Sequence, residues 1–274
     1  MGEIIIDPAT LPHHRWLNSG AASVALDPAY PDGALIAPHH HPMSQLLYAI
    51  EGVMLVQSTH VRWLVPPGCG AWLVADEEHS VRMCGNVQMR TVFFSPTLCE
   101  GLPMTSGVLS ISALLHALIL SAVQLRHKPQ WSERDQRLML LLLDELRLAT
   151  ILPFSLPWPK DPLFEQLCQP FMHHPEGLAS VEASARQLGL TVKTFQRRFQ
   201  RDTQLTWGRW CQQLRLINAM ERLGRGDKII DVAFDLGYAT PSAFSSMFKK
   251  QTGLTPRHFA RAPNSFHSDG PRRT

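Results

Sequence analysis

Residues 195–206 read Phe195-Gln-Arg-Arg-Phe199-Gln-Arg-Asp-Thr203-Gln-Leu205-Thr206, and residues 244–255 read Phe244-Ser-Ser-Met-Phe248-Lys-Lys-Gln-Thr252-Gly-Leu254-Thr255. Phe195/Phe244, Phe199/Phe248, Thr203/Thr252, Leu205/Leu254 and Thr206/Thr255 match at one offset of 49 residues. Just upstream, Leu188-Gly189 and Leu236-Gly237 match at 48, so the second copy has a turn one residue longer. A repeat at fixed offset marks one supersecondary unit used twice. Each copy reads helix, glycine, short turn, helix, with the glycine supplying the left-handed backbone of the turn. Two phenylalanines four apart share one helical face and point to a core. The opposite face of the first copy then shows Lys193, Gln196, Arg197 and Gln200; that of the second shows Ser242, Ser245, Ser246 and Lys249.

Lysine, arginine and glutamine are side chains that read guanine and adenine edges in the major groove. The second face is poor in charge and suits contact with the DNA backbone better than base reading. Two such units joined by one helix, Thr206 to Leu223, are expected to reach successive major grooves about 34 Å apart.

Working outward, this segment lies in a basic half. Residues 161–274 carry 16 Lys/Arg and 10 Asp/Glu, net +6; residues 1–160 carry 10 and 13, net −3. The charge changes sign at Leu152–Pro162, where four prolines in eleven residues exclude a helix or an internal strand. At about 150 residues per domain, 274 residues suit two domains. The expected division is an N-terminal domain at 1–152, a proline-rich linker at 153–162, a DNA-binding domain at 163–262 and a disordered tail at 263–274. An apolar fraction of 45% with 18% charged residues excludes disorder throughout. Five widely spaced cysteines without C-x-x-C disfavour a disulfide framework and favour a reducing compartment, the cytoplasm. The N-terminus lacks a basic segment ahead of an apolar core, so it does not read as a signal peptide. Val108 to Leu125 has no charged residue but carries three serines, His116 and Gln124; it reads as a buried or dimer-forming helix, not a membrane span.

The C-terminal half reads as helices throughout. Asp161-Pro162 starts one; Ser180–Leu188, Thr191–Arg201, Asp227–Leu236, Thr240–Gln251 and Thr255–Arg261 bound others. This half resembles the DNA-binding domain of the AraC/XylS family of bacterial transcription regulators over residues 161–261. The resembling stretches are Ala185-x-x-Leu188-Gly189-Leu190-Thr191, Asp231-Val-Ala-Phe-Asp-Leu-Gly-Tyr238, and Ser242-x-Phe244-x-x-x-Phe248-Lys249-x-x-x-Gly253-x-Thr255-Pro256. Two departures stand out: where the family often ends Pro-x-x-Tyr-Arg, Pro256 is followed by Arg257-His258-Phe259-Ala260-Arg261, so the last helix is off pattern by one, and position 241 is proline.

Residues 20–95 read as short strands: Leu46–Ile50, Val53–Gln57, Val61–Val65, Ala71–Val74, Ser80–Met83 and Met89–Phe94, separated by Glu51-Gly52, Ser58-Thr59, Pro66-Pro67-Gly68 and Gly85-Asn86. That spacing predicts a small barrel or sandwich. Gly33-x5-His39-x-His41-x3-Gln45-x6-Gly52 resembles the first cupin motif, with Gln45 in place of glutamate. Trp72-Leu-Val-Ala-Asp-Glu-Glu-His79 resembles the second, with Val74 and Asp76 in place of proline and glycine. The expected fold class is therefore α+β in two domains: a cupin-like β-barrel with a helical pair (Val108–Arg126 and Ser132–Ala149), then an all-α domain with two helix-turn-helix motifs. His39 and His41 are two apart and face one side of a strand. With His79 and Gln45 they form an effector pocket or a candidate divalent-metal site, since three imidazoles with an open position hold zinc and suit iron, copper and nickel. The alternative is that they are polar core residues. Trp63, Trp72 and Met54 are further candidates for the lining.

The resemblance implies a sequence-specific transcription regulator, activator or repressor, that binds double-stranded promoter or operator DNA. It further implies a small-molecule or metal effector, a homodimer formed through the helical pair, RNA polymerase as partner if the protein activates, no membrane association and no catalysis. The competing reading is a metal-dependent cupin enzyme, a dioxygenase or isomerase, carrying a DNA-binding domain.

Overall fold

The computed structural model describes residues 4–11, 23–125, 130–152, 154–172, 177–178 and 180–261. Expectations for Arg126, for the pairs His13-His14 and His173-His174, and for the tail from 262 lie outside the described residues. The chain divides into two compact units at Pro153/Phe154, with residues 59–62 grouped with the second.

The first unit is built on two long antiparallel strands, β5 (Ser44–Ser58) and β8 (His79–Phe94). Around them lie β1 (Ile4–Ile6), β2 (Ser23–Leu26), β3 (Ala29–Tyr30), β4 (Ala34–His39), β6 (Val61–Val65), β7 (Cys69–Leu73) and β9 (Gly107–Ser110). β4 and β5 flank β8, β7 extends the sheet from β5, and β9 and then β10 (Ile151–Leu152) close that edge.

Here the structure corrects the strand reading. Glu51-Gly52 and Gly85-Asn86 are not hairpin turns; each sits inside one continuous strand. The β5–β8 register shifts between Ala49 and Glu51 and again between Glu51 and Val53, as a β-bulge does. Gly52 has φ +75°, and a Cβ there would lie 2.4 Å from Asn86 O, so the close crossing of the strands requires glycine.

Alternation along β5 and β8 separates two interiors. Gln45 and Leu47 on β5, with Val81, Met89 and Thr91 on β8, line a small cavity. Leu46, Tyr48, Val92 and Phe94 point the other way, into the core shared with helices α1 (Ala113–Leu125) and α2 (Glu133–Leu148). Ile119, Leu142 and Leu146 are fully buried there; each such side chain stabilises by about 1.5–3 kcal/mol. Tyr48 Oη and His116 Nδ1, 2.6 Å apart, tie this strand to α1.

α2 begins on a capping box: Asp135 N donates to Ser132 Oγ and Ser132 N donates to the Asp135 carboxylate. The expected helix from Val108 starts instead at Ala113, and Val108 and Leu109 belong to β9, paired to Ala71 and Gly70. An apolar run without charge carries no period that separates the two states. The proline-rich segment includes the short strand β11 (Ser155–Pro157). No helix among the described residues is long and apolar enough to cross a membrane.

The second unit holds α3 (Pro162–Cys168), α4 (Val181–Gln187), α5 (Val192–Thr203), α6 (Trp207–Gly224), α7 (Ile229–Asp235), α8 (Pro241–Thr252) and α9 (Pro256–Arg261). The repeat extends to its hydrogen bonds. Thr191 caps α5 and Thr240 caps α8, each accepting from the backbone three residues on. Thr203 Oγ1 donates to Phe199 O and Thr252 Oγ1 to Phe248 O, at 2.9 and 2.8 Å. The turns before α5 and α8 use Gly189 (φ +65°) and Gly237 (φ +80°). After the second helices, Gln204 (φ 60°) and Gly253 (φ 78°) occupy equivalent left-handed positions.

Phe199 is fully buried and its ring lies 5.3, 5.9, 5.0 and 5.9 Å from those of Phe164, Phe195, Trp207 and Trp210. The second copy is lighter: Phe244 and Phe248 pack with Tyr238 and Phe259.

Candidate functional site

Two sites emerge, one in each unit. In the second unit, burying Phe195 and Phe199 turns the other side of α5 to solvent. Lys193, Gln196, Arg197 and Gln200 are all exposed on it. On α8, burial of Phe244 and Phe248 leaves Ser242, Ser246 and Lys249 exposed and Ser245 half-buried. Pro241 occupies the first turn of α8 behind the Thr240 cap, so its ring replaces a polar side chain at that end. Arg198, beside Arg197 in sequence, points elsewhere: its guanidinium donates to the Asp161 carboxylate at 2.7 Å. Adjacent arginines on one helix thus have different tasks, because residues one apart differ by 100° around it.

In the first unit, His39 closes β4 and His79 opens β8, directly opposite in the register. His41 lies just past the end of β4 rather than within it, but its ring still joins the other two. The ring centroids are 4.4 Å apart for His39–His79, 5.1 Å for His41–His79 and 5.9 Å for His39–His41. One nitrogen from each ring lies within 4.8 Å of the others. His41 and His79 are buried and His39 half-buried.

Each Nδ1 faces a backbone carbonyl: His39 that of Ala37 at 2.9 Å, His41 that of Met43 at 2.7 Å, His79 that of Glu77 at 2.8 Å. A carbonyl only accepts, so each Nδ1–H donates to it. Burial holds the pKa of His39 and of His41 below the ordinary imidazole value, favouring neutral rings. Gln45 Oε1 stands 3.1 Å from His41 Nε2, while Gln45 Nε2 donates to Thr91 Oγ1 at 2.9 Å. Three imidazole rings and one amide oxygen are thereby gathered beside one cavity. The three histidines could hold a metal ion, with one nitrogen of each within 4.8 Å of the others, and carbonyl-held Nδ1–H groups are the usual support for such ligands. Asp76, where the resembling motif has glycine, takes φ 62°.

Several residues escaped the sequence reading. Thr91, which orients Gln45, is 46 positions away and arrives only through the β5–β8 register. Tyr30 and Met89 line the cavity. Of the candidates for the lining, Trp63 and Met54 are buried, and Trp72 packs 5.9 Å from Phe94 in the core beneath the helices, its indole donating to Pro103 O.

Comparison with known proteins bears on both units. The family model "AraC-like ligand binding domain" matches residues 22–144, and the model "Helix-turn-helix domain" matches residues 184–262. The HTH-type transcriptional regulator NimR of Escherichia coli (strain K12) is 30% identical over 224 residues, covering 81% of this chain and 82% of NimR. The HTH-type transcriptional activator RhaS of Shigella sonnei (strain Ss046) is 22% identical over 278 residues, covering 90% of this chain and 95% of RhaS. Among solved structures, ToxT from Vibrio cholerae O395 superposes with a TM-score of 0.36 at 10% identity, over 87% of this chain and 97% of ToxT. With a ligand-binding sheet domain, a duplicated helix-turn-helix and a relative of this similarity along most of its length, the chain belongs to the AraC family of DNA-binding transcriptional regulators.

Proposed function

We propose that the protein reads an operator with α5 and α8 in successive major grooves, under control of an effector bound at His39, His41, Gln45 and His79. The observation that carries the DNA reading is the exposed face of α5, set opposite the buried Phe195 and Phe199. Lys193 and Arg197 are assigned to guanine edges, and Gln196 and Gln200 to adenine. Ser242, Ser245, Ser246 and Lys249 on α8 serve mainly the phosphate backbone.

Expected domain boundaries are the sensing and dimerisation unit at 1–152, the linker at 153–162 and the DNA-binding unit at 163–262. Leu114 on α1, with Leu140, Leu141 and Leu148 on α2, are exposed apolar side chains that fit a self-complementary contact with a second copy. The protein acts in the cytoplasm as a regulator rather than an enzyme, and as an activator would meet RNA polymerase. The effector works only through its different affinity for the DNA-competent and DNA-incompetent states.

The test is selection of genomic fragments by the purified full-length protein, followed by alanine substitution of Lys193, Gln196 and Arg197. A small set of high-affinity sites, weakened by each substitution, supports the reading. Salt-sensitive binding to every fragment alike refutes it.

A further inference from the structure

We propose that the helical unit carries a binding site of its own for a small organic carboxylate, with the acid group on Arg215 and the apolar body along Cys211 toward Gly208, and that an occupied site withdraws Gln196 from DNA. This site is separate from the histidine cavity of the sheet domain. Only its link to DNA rests on the reading of α5 as a recognition helix.

Shape comes first. A cleft of about 530 Å³ is lined by the starts of α4 and α6 and by Gln196 of α5. That volume lies within the range of small-molecule sites, about 300–1,000 Å³. Leu178, Val181 and Trp207 give it an apolar wall. Gly208, Cys211 and Arg215 line it at i, i+3 and i+7, which is one stripe of α6. At 1.5 Å per residue the stripe is about 10 Å long.

Gly208 is the second feature. Glycine is a poor helix residue, tolerated where a left-handed backbone or a close approach requires it. Gly208 meets neither condition: its φ is not positive, and a Cβ there would find nothing within 4 Å. The missing side chain leaves that end of the cleft open.

Electrostatics come third and select the ligand. Arg215 is half-buried, and its Nε is buried without a hydrogen-bond partner. No carboxylate among the described residues forms an ion pair with it. Cys211 and Tyr238 lie within its field, and both are neutral at pH 7. Burial pushes the Cys211 thiol up to about 12 and raises the Tyr238 phenol. Glu182, the one acid on the lining, is exposed and engaged by Ser180 and Arg186. A partly buried charge without a partner is costly, and a ligand carboxylate supplies the charge-assisted hydrogen bond it lacks. A cationic guest would be repelled, and a neutral one would leave the guanidinium unpaired.

Gln196 connects the cleft to DNA. It lines the cleft and also stands on the exposed face of α5 assigned to base reading. An amide engaged by a guest in the cleft cannot also make a bidentate contact to adenine. Acid and operator therefore weaken each other's binding by the same factor.

The experiment uses the full-length protein. The probe is 3-phenylpropionate, with 3-phenylpropionamide as its uncharged match. Binding is read by calorimetry, and operator affinity by anisotropy with and without the acid. The expected result is one site per chain with a Kd of about 0.1–1 mM, as eleven non-hydrogen atoms allow. The amide binds about tenfold more weakly or worse, and Arg215→Gln weakens the acid by a similar factor, as loss of a charge-assisted hydrogen bond does. Gly208→Leu fills the cleft and abolishes binding. Saturating acid lowers operator affinity by about fivefold or more, the worth of one bidentate adenine contact, and Gln196→Ala removes that response. Should Arg215→Gln fail to fold, Gly208→Leu, whose Cβ meets open space, still decides the matter. No saturable binding, equal binding of acid and amide, or an acid affinity indifferent to both variants overturns the site. If Arg215→Gln instead weakens cognate and scrambled duplexes alike and lowers the salt slope by about 0.9, Arg215 is a phosphate contact and the site is overturned. Operator affinity indifferent to saturating acid overturns the link through Gln196. Absence of any preferred operator overturns the regulator reading, and calorimetry then decides the site alone.

Discussion

Arg197 and Arg198 are neighbours in sequence with opposite fates, and exchanging each for alanine separates recognition from stability. Arg197 is exposed on the face of α5 assigned to the major groove. A bidentate contact to a base edge is worth about 1–3 kcal/mol of discrimination, or roughly 5- to 140-fold in affinity ratio. Arg197→Ala is therefore expected to cost the cognate duplex that factor and a scrambled duplex far less. Arg198 is two-thirds buried, bound to Asp161 at 2.7 Å, with its guanidinium 5.7 Å from the Phe164 ring. Such a partly exposed pair contributes at most about 1 kcal/mol to folding. Arg198→Ala should lower the midpoint of urea unfolding slightly and leave the cognate-to-scrambled ratio unchanged. The assay is fluorescence anisotropy on both duplexes at fixed salt, repeated between 50 and 200 mM. If Arg197 touched only phosphate, its loss would weaken both duplexes alike and lower the salt slope by about 0.9. That result, or an Arg198→Ala variant that loses discrimination as Arg197→Ala does, refutes the assigned reading face.

Three further outcomes are expected. Gln204 sits at φ 60° where its repeat partner is Gly253; Gln204→Gly should stabilise the second unit by about 0.5–1 kcal/mol and Gly253→Gln destabilise it by a similar amount, measured by urea titration. Gly52→Ala should destabilise the first unit by more than about 2 kcal/mol, since its Cβ meets Asn86 O at 2.4 Å; near-neutral thermal unfolding would show that the strands separate there at little cost. Phe199→Ala should cost about 3–5 kcal/mol, because four aromatic rings surround a fully buried side chain; a loss below about 1.5 kcal/mol would mean that the cage collapses onto the gap.

The legible parts of this fold are those written locally. The duplicated Phe-x-x-x-Phe, the threonine caps and the glycine turns are all short-range, and each appears in the structure as one hydrogen bond or one left-handed residue. The strands were legible as β but not as long strands. A glycine at positive φ inside a bulge, as at Gly52, has the same sequence signature as a glycine in a hairpin turn. Only the partner strand, 34 residues away at Asn86, distinguishes them. Val108 and Leu109 failed for a related reason, since an apolar run next to an amphipathic helix reads as its continuation until β7 pairs with it. The histidines could be named from spacing, but their support could not. The carbonyls that hold each Nδ1 are set by backbone geometry, and Thr91 reaches Gln45 only through register. Arg198 illustrates the limit on the DNA side: nothing in the run Gln196-Arg197-Arg198 says that one arginine faces outward and the next is committed to Asp161.

The most direct measurement is hydroxyl-radical footprinting of the full-length protein on its highest-affinity genomic site. The account predicts two protected patches per chain on one face of the duplex, centred about 10–10.5 base pairs apart, one for each recognition helix. Protection over the α5 patch should fade in Arg197→Ala and persist in Arg198→Ala. A single patch per chain, or uniform protection without a preferred position, would contradict the claim that the duplicated helix-turn-helix reads two successive grooves.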